Sequence, residues 1–284
     1  MDATTPLGIA LVLAVVAGMV LVATLLLRAI GAGTKLEPLI AIARAAVQLA
    51  LLALILRLAF SSMWLVVGWL CVMLAVAIVT STRRIGWSRE VPLAAAAAIS
   101  LSAVVTLGVV VASGAIGFGT QYVLAFGGIV IGNVMSITSV TAKRLREHLR
   151  DSRDEIEGML ALGATPRQAA ERFRGASVAH ALIPTVDSTS TTGLVTLPGA
   201  FVGAIFAGAD PLEAGLFQLV VLGGIMFGGA IAGATVSWIL GAPKTLPAPD
   251  RGEAPRELPD GPAAAPVPPA AGPTDVPAPG RPAA

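Results

Sequence analysis

The sequence predicts an all-α, polytopic integral membrane protein of about seven transmembrane helices carrying a cytoplasmic helix–turn–helix coupling elbow. Three observations point there. Hydrophobic residues make up 55% of the 284 positions and charged residues only 13%, with a mean hydropathy of +0.83, which is membrane composition. Apolar runs of about 20 residues, the length that crosses a bilayer as a helix, recur along the chain. Lys and Arg collect in alternate connections between those runs, as cytoplasmic loops do. The same composition argues against other classes. A net charge of +2 gives no basis for nucleic-acid binding. Cys71 is the single cysteine, so no internal disulfide forms, and no His/Cys cluster offers a zinc-finger type of metal site.

The expected spans are 7–29, 37–59, 63–81, 91–113, 121–142, 191–209 and 213–240. The first has no basic stretch before it and exceeds the core of a signal peptide, so it reads as a retained span. Arg28 and Lys35 follow it. Arg83, Arg84 and Arg89 lie between the third and fourth spans, and Lys143, Arg144, Arg146, Arg150, Arg153, Arg167, Arg172 and Arg174 lie between the fifth and sixth. The connection near 114–120 has no charge, and the one near 210–213 has only Asp210 and Glu213. The basic loops therefore face the cytoplasm, which puts the N-terminus outside and the C-terminus inside a plasma membrane. A transmembrane domain spans 1–242, with its longest charged, cytoplasmic segment within 143–186. Beyond it, 13 of the chain's 20 prolines fall in 243–284. That Pro/Ala-rich tail cannot bury a core and is expected to be disordered and cytoplasmic.

Polar residues inside a bilayer are costly and mark function by default. Arg44 and Gln48 share a face of the second span. Arg44 is either an anchor that snorkels or part of a pathway, and Arg57 snorkels to the outer surface. In the fifth span Gly128, Gly132 and Ser136 form a small-residue stripe for helix packing, with Asn133 beside it. Gly224-Gly228 and Gly229-Gly233 repeat the pattern in the last span. "PTVDSTSTTGLVTLPGAF", 184–201, places Asp187, Thr189 and Ser190 at the cytoplasmic mouth of the sixth span. Asp187 either caps that helix or lines a pathway. Pro198-Gly199 should interrupt the helix, as substrate-presenting breaks do in transporters. Asn133, Asp187, Thr189 and Ser190 are the expected entrance, with Arg44, Gln48, Pro198 and Gly199 near the route. No Asp or Glu falls at the middle of an expected span, which weighs against an ion-coupled carrier.

The longest charged stretch contains an apolar elbow, "MLALGATPRQAAERF", 159–173. Ile156, Met159 and Leu160 share one helical face. Gly163 can end that helix in a left-handed conformation. Thr165 is an N-cap, Pro166 suits the first helical position and Gln168 completes a capping box, so a second helix starts and runs until Pro184 breaks it. No phosphate-binding loop G-x-x-x-x-G-K-[ST] occurs. An apolar elbow on a chain without a motor suggests docking to a separate one. Glu157 would be its polar anchor and Met159, Leu160 and Leu162 its apolar contact, with Gly163, Ala164, Thr165, Pro166 and Gln168 shaping the turn. The alternative is that the patch packs on the protein's own spans.

"EGMLALGATPRQA" resembles the coupling segment of ABC-transporter permeases, with Glu157 and Gly163 at the family's offset and Gly158 where it has Ala. Together with "GNVMS", "DSTSTTGLVTLPGAFVGAIFAG" and "DPLEA", the chain resembles the permease family that includes the bacterial iron-export permease and the plant aluminium-sensitivity membrane proteins. The likeness covers roughly 5–242. Ser190 stands where that family is expected to have Lys. The resemblance implies a non-catalytic permease subunit that forms a homodimer, binds no cofactor itself and pairs with a separate ATPase holding ATP and Mg. It further implies metal export, iron in particular. An ion-coupled carrier and a non-transporting scaffold are the rival classes.

Overall fold

The computed structural model describes residues 5–31, 37–59, 62–117 and 119–242, apart from the side chains of 6, 7 and 54–59. The expectations for Lys35, for the Arg57 side chain and for the tail 243–284 lie outside the described residues. Within them the chain is helical: α1 (Pro6–Ala29), α2 (Glu37–Ala59), α3 (Met63–Ile85), α4 (Val91–Ala112), α5 (Thr120–Asp151), α6 (Arg153–Ala161), α7 (Pro166–Thr191), α8 (Gly199–Phe206) and α9 (Pro211–Leu240). Three of these start alike. Thr5, Thr165 and Asp210 each accept a backbone N–H with their side chain, and each is followed by Pro at the first helical position. Pro loses nothing there, because that N–H has no intrahelical partner.

Among the described residues five helices are long and apolar enough to cross a membrane: α1, α3, α4, α5 and α9. α2 covers the second expected span with 23 residues. The sixth expected span, 191–209, is not a helix. α7 ends at Thr191, the backbone turns through Gly193 at φ +86°, and α8 has only 8 residues, about 12 Å of helix against a hydrocarbon core of roughly 30 Å. The turn closes on itself: the Gly193 N–H donates to the Thr196 carbonyl at 2.8 Å and the Val195 N–H to that of Thr191 at 3.0 Å. α7 starts in the elbow and continues through Pro184 to Thr191. Pro184 therefore does not break the helix as expected. Transmembrane helices tolerate proline where Ser and Thr side chains and neighbouring helices compensate the lost backbone bond.

α9 is the hub, packed against α4, α5, α7 and α8. Its glycines make that possible. A methyl at Gly224 would meet Phe126 at 2.6 Å, at Gly229 Ile137 at 2.6 Å and Leu182 at 3.1 Å, and at Gly233 Val178 at 2.9 Å. At Gly228 the approach lets Ser102 Oγ donate to the glycine carbonyl at 2.6 Å. Small residues bring backbones together where lipid gives no hydrophobic drive to associate. The α5 stripe behaves differently. A methyl at Gly128 would meet Met73, but one at Gly132 would meet nothing within 4 Å, and Ser136 is exposed; the tighter contact is at Gly127, on Leu70.

The glycine contacts fix the relative course of α7 and α9. Arg174 lies against Gly241, Val178 against Gly233 and Leu182 against Gly229, so the helices run antiparallel. Two buried apolar clusters follow. One, around Leu70, Phe126, Val130, Val134 and Val221, lies within the spans. The other joins Ile85, Leu145, Leu149, Ile156, Phe173, Val236 and Leu240 at the basic end. There Arg146 donates to the Ile85 carbonyl at 2.7 Å and to Ser88 at 3.0 Å, latching α5 to the α3–α4 connection. Burial pushes its guanidinium below the ordinary value.

Candidate functional site

Two features stand out, the elbow at the basic end and a polar groove between α5 and α7. In the elbow, α6 ends at Ala161 and Gly163 adopts φ +92°. The Gly163 N–H donates to the Leu160 carbonyl and the Ala164 N–H to that of Met159, both at 3.0 Å. This paired closure is a Schellman motif and satisfies carbonyls that the helix end would orphan. Thr165 and Gln168 form the reciprocal capping box. α6 is tied to α7 by Arg172 to Glu155 at 3.1 Å. The start of α7 is set on the end of α9, with the Arg167 guanidinium 4.0 Å over the Trp238 ring.

This geometry divides the expected docking patch. Ile156 is buried, and Met159 and Leu160 pack half-buried against the basic-end cluster. Those two serve the chain's own core, because they lie on the inward face with Ile156. Leu162, at the helix end, is 91% exposed. Glu157 is exposed and bonds Arg153 one turn back at 2.7 Å. The tip of the elbow is thus one bare leucine followed by a left-handed glycine.

The groove is a cavity of about 240 Å³ lined by Asn133, Ser136, Ile137 and Val140 of α5, Ala181, Pro184, Thr185, Ser188 and Thr189 of α7, and Leu222 and Ile225 of α9. Asn133 and Thr189 both line it. The groove is level with Leu222–Ile225, near the middle of a 30-residue α9. Asp187 sits within α7, beyond Leu182, which is already level with Gly229. Asp187 lies inside a helix and does not cap one, against the cap reading. No new N-cap arises because the hydroxyls of 188–192 all bond back to carbonyls three or four residues earlier. Asp187 and Ser190 are exposed on the side of α7 away from its packed face. Arg44 is exposed on α2 and does not line the groove. Gln48 lines a separate cavity with Trp69, Met73 and Met135. Pro198 and Gly199 begin α8 across the turn and do not reach the groove either.

Thr185, Ser188 and Ser136 are groove residues that the sequence reading missed. The available signal was their spacing: Ala181, Thr185, Ser188 and Thr189 follow 3–4 periodicity, which a helix break drawn at Pro184 cut through. The chain's two histidines also meet, with His148 on α5 6.2 Å from His180 on α7 between ring centres.

Comparison with known proteins agrees with this architecture. The model of the uncharacterised protein family UPF0014 matches residues 10–243. The UPF0014 membrane protein STAR2 of Oryza sativa is 39% identical over 214 residues, 73% of this chain and 72% of that one. Protein ALUMINUM SENSITIVE 3 of Arabidopsis thaliana is 34% identical over 210 residues, covering 72% and 75%. The probable iron export permease protein FetB of Escherichia coli is 41% identical over 124 residues, 44% of this chain and 48% of that protein. No solved structure matches. With its apolar crossing helices and a match that takes in all of them but the first residues of α1, the chain is a multi-pass membrane protein of the UPF0014 family.

Proposed function

We propose that the chain is the non-catalytic permease subunit of an ABC transporter, working as a homodimer with a separate nucleotide-binding ATPase. ATP and Mg belong to that partner. The cargo is a metal ion, iron-like, and the direction is export. One observation carries the coupling: a rigid, doubly capped elbow at the basic end presents Leu162 bare to solvent. A capped elbow transmits force, and an exposed leucine needs an apolar socket. The cargo class is supported by the likeness to the iron export permease. The test is flux. Proteoliposomes holding this chain and its nucleotide-binding partner should move Fe²⁺ only with Mg-ATP. Flux that needs no ATPase and follows a proton gradient would replace this reading with an ion-coupled carrier.

The charge bias of the connections supports an external N-terminus. In a Cys71→Ser background, single cysteines at 148 and 260 should label with an impermeant maleimide only after permeabilisation. One at 115, in the uncharged α4–α5 connection, should label in intact cells. The reverse pattern would invert the topology.

A further inference from the structure

We infer that a recess at the end of the bundle opposite the elbow binds a lipophilic organic cation, of the quaternary ammonium class, through the Glu213 carboxylate and the Tyr122 and Phe217 rings. This goes beyond the transport reading and does not depend on it. Arg174 against Gly241 and Arg167 over Trp238 put the elbow at the C-terminal end of α9. The recess lies at the other end, between the α4–α5 connection, the start of α5, α8 and the first turns of α9, and has a volume of about 550 Å³. Small-molecule sites are of this size.

Small residues make the space. Ala200, Gly203, Ala204 and Ala207 recur at helical spacing along α8 and line the recess with almost no side chain. Phe201 of the same helix reaches α9, where a methyl at Gly215 would meet its ring at 3.9 Å, so α8 is docked beside the space. Two rings stand in the wall. Tyr122 and Phe217 meet edge to face, with centroids 5.6 Å apart and planes at 62°. A methyl at Gly119 would lie 3.1 Å from the Tyr122 ring, which is thus seated against the backbone just before α5. An edge-to-face pair leaves a ring face uncovered by its partner, and such a face attracts a cation.

The charge has one sign. Glu213, exposed on the first turn of α9, is the carboxylate among the lining residues. No Lys or Arg occurs in 90–142 or 175–242, the two stretches that supply the whole lining. Among the described residues no ion pair engages the Glu213 carboxylate. The neighbouring Asp210 is already occupied, since it accepts the Leu212 N–H at 2.8 Å. Gln121 and Tyr122 are the other polar side chains of the lining. That is too few oxygens for a hard metal ion, which takes about six. A quaternary ammonium needs no coordination sphere. Its charge is met by one carboxylate and the ring faces, and its hydrocarbon gains by leaving water for the apolar wall.

Benzyltrimethylammonium is a suitable probe, read by equilibrium dialysis against the full-length chain in phosphatidylcholine nanodiscs. Protein-free nanodiscs give the partition into lipid to be subtracted. The wild-type chain should bind the probe saturably. Glu213→Gln should weaken binding about tenfold or more. Phe217→Leu, which keeps bulk but removes the ring, should weaken it a few-fold, and Ala204→Phe should abolish it by filling the recess. Glu171→Gln, which removes an exposed carboxylate on α7 near the elbow, should leave it unchanged. Glu213→Gln and Phe217→Leu carry the test if Ala204→Phe does not fold. Equal binding by wild type and Glu213→Gln would mark a purely apolar recess, of the kind a lipid chain fills, and would overturn the cation site. Absence of saturable binding at millimolar probe would overturn it too. The assay holds no ATPase and no metal, so its failure leaves the transport reading standing, and loss of ATP-driven flux leaves the site standing.

Discussion

Leu162→Glu is expected to abolish ATP-driven transport while leaving the permease folded. Leu162 is 91% exposed, so the folded chain loses no contact when it is replaced. In a socket on the ATPase the same side chain would contribute roughly 1.5–3 kcal/mol, less ordering costs. Losing it and burying a carboxylate instead should cut partner retention and ATP-dependent flux at least about tenfold. Leu160→Glu is the informative contrast. Leu160 packs against the basic-end cluster, so its replacement should lower thermal stability of the permease itself. Gly163→Val separates shape from contact. No atom lies within 4 Å of an added Cβ, yet φ is +92°. Its cost of about 1–2 kcal/mol is therefore backbone strain alone, and it should misdirect the start of α7. Co-purification with the ATPase, coupled flux and melting temperature together distinguish the three. If Leu162→Glu retains full ATP-driven flux, the elbow tip is not the coupling element.

The elbow was legible because its signals are local. Gly163, Thr165, Pro166 and Gln168 dictate a helix stop and start within six residues, and the backbone adopts that Schellman turn and capping box. What sequence could not show was which apolar side chains of the elbow point inward, since that depends on where Phe173 and Leu149 arrive from other helices. The groove was half legible. Asn133 and the hydroxyl run stood out as polar groups in apolar surroundings, but their depth was misjudged. Pro184 looked like a boundary, and the apolar run after Thr192 looked like the span. The outcome depends on tertiary spacing. α7 slides along the glycines of α9, and this fixes Asp187 level with the middle of the bundle. Arg44 illustrates the opposite error: its charge marked it, yet it does not line the groove.

That spacing leads to the second large effect. Gly229 lies where α5, α7 and α9 converge; a methyl there would stand 2.6 Å from Ile137 and 3.1 Å from Leu182. Gly229→Val must push one of the two neighbouring helices away. Overpacking of this kind costs about 1–3 kcal/mol in cores, and in a bilayer no hydrophobic drive between helices offsets it. Ile137 is also a groove wall, so displacement of α5 opens the groove as well as loosening the bundle. The variant should therefore lose melting temperature. Gly223→Val is the control on the same helix, because it is exposed and an added Cβ there would meet nothing within 4 Å; it should leave the melting temperature unchanged. Ile137→Ala combined with Gly229→Val should recover part of the stability by making room, a coupling that a double-mutant cycle reads directly. If Gly229→Val melts with Gly223→Val and the second substitution restores nothing, the close approach of α5, α7 and α9 at Gly229 does not set the stability of the bundle.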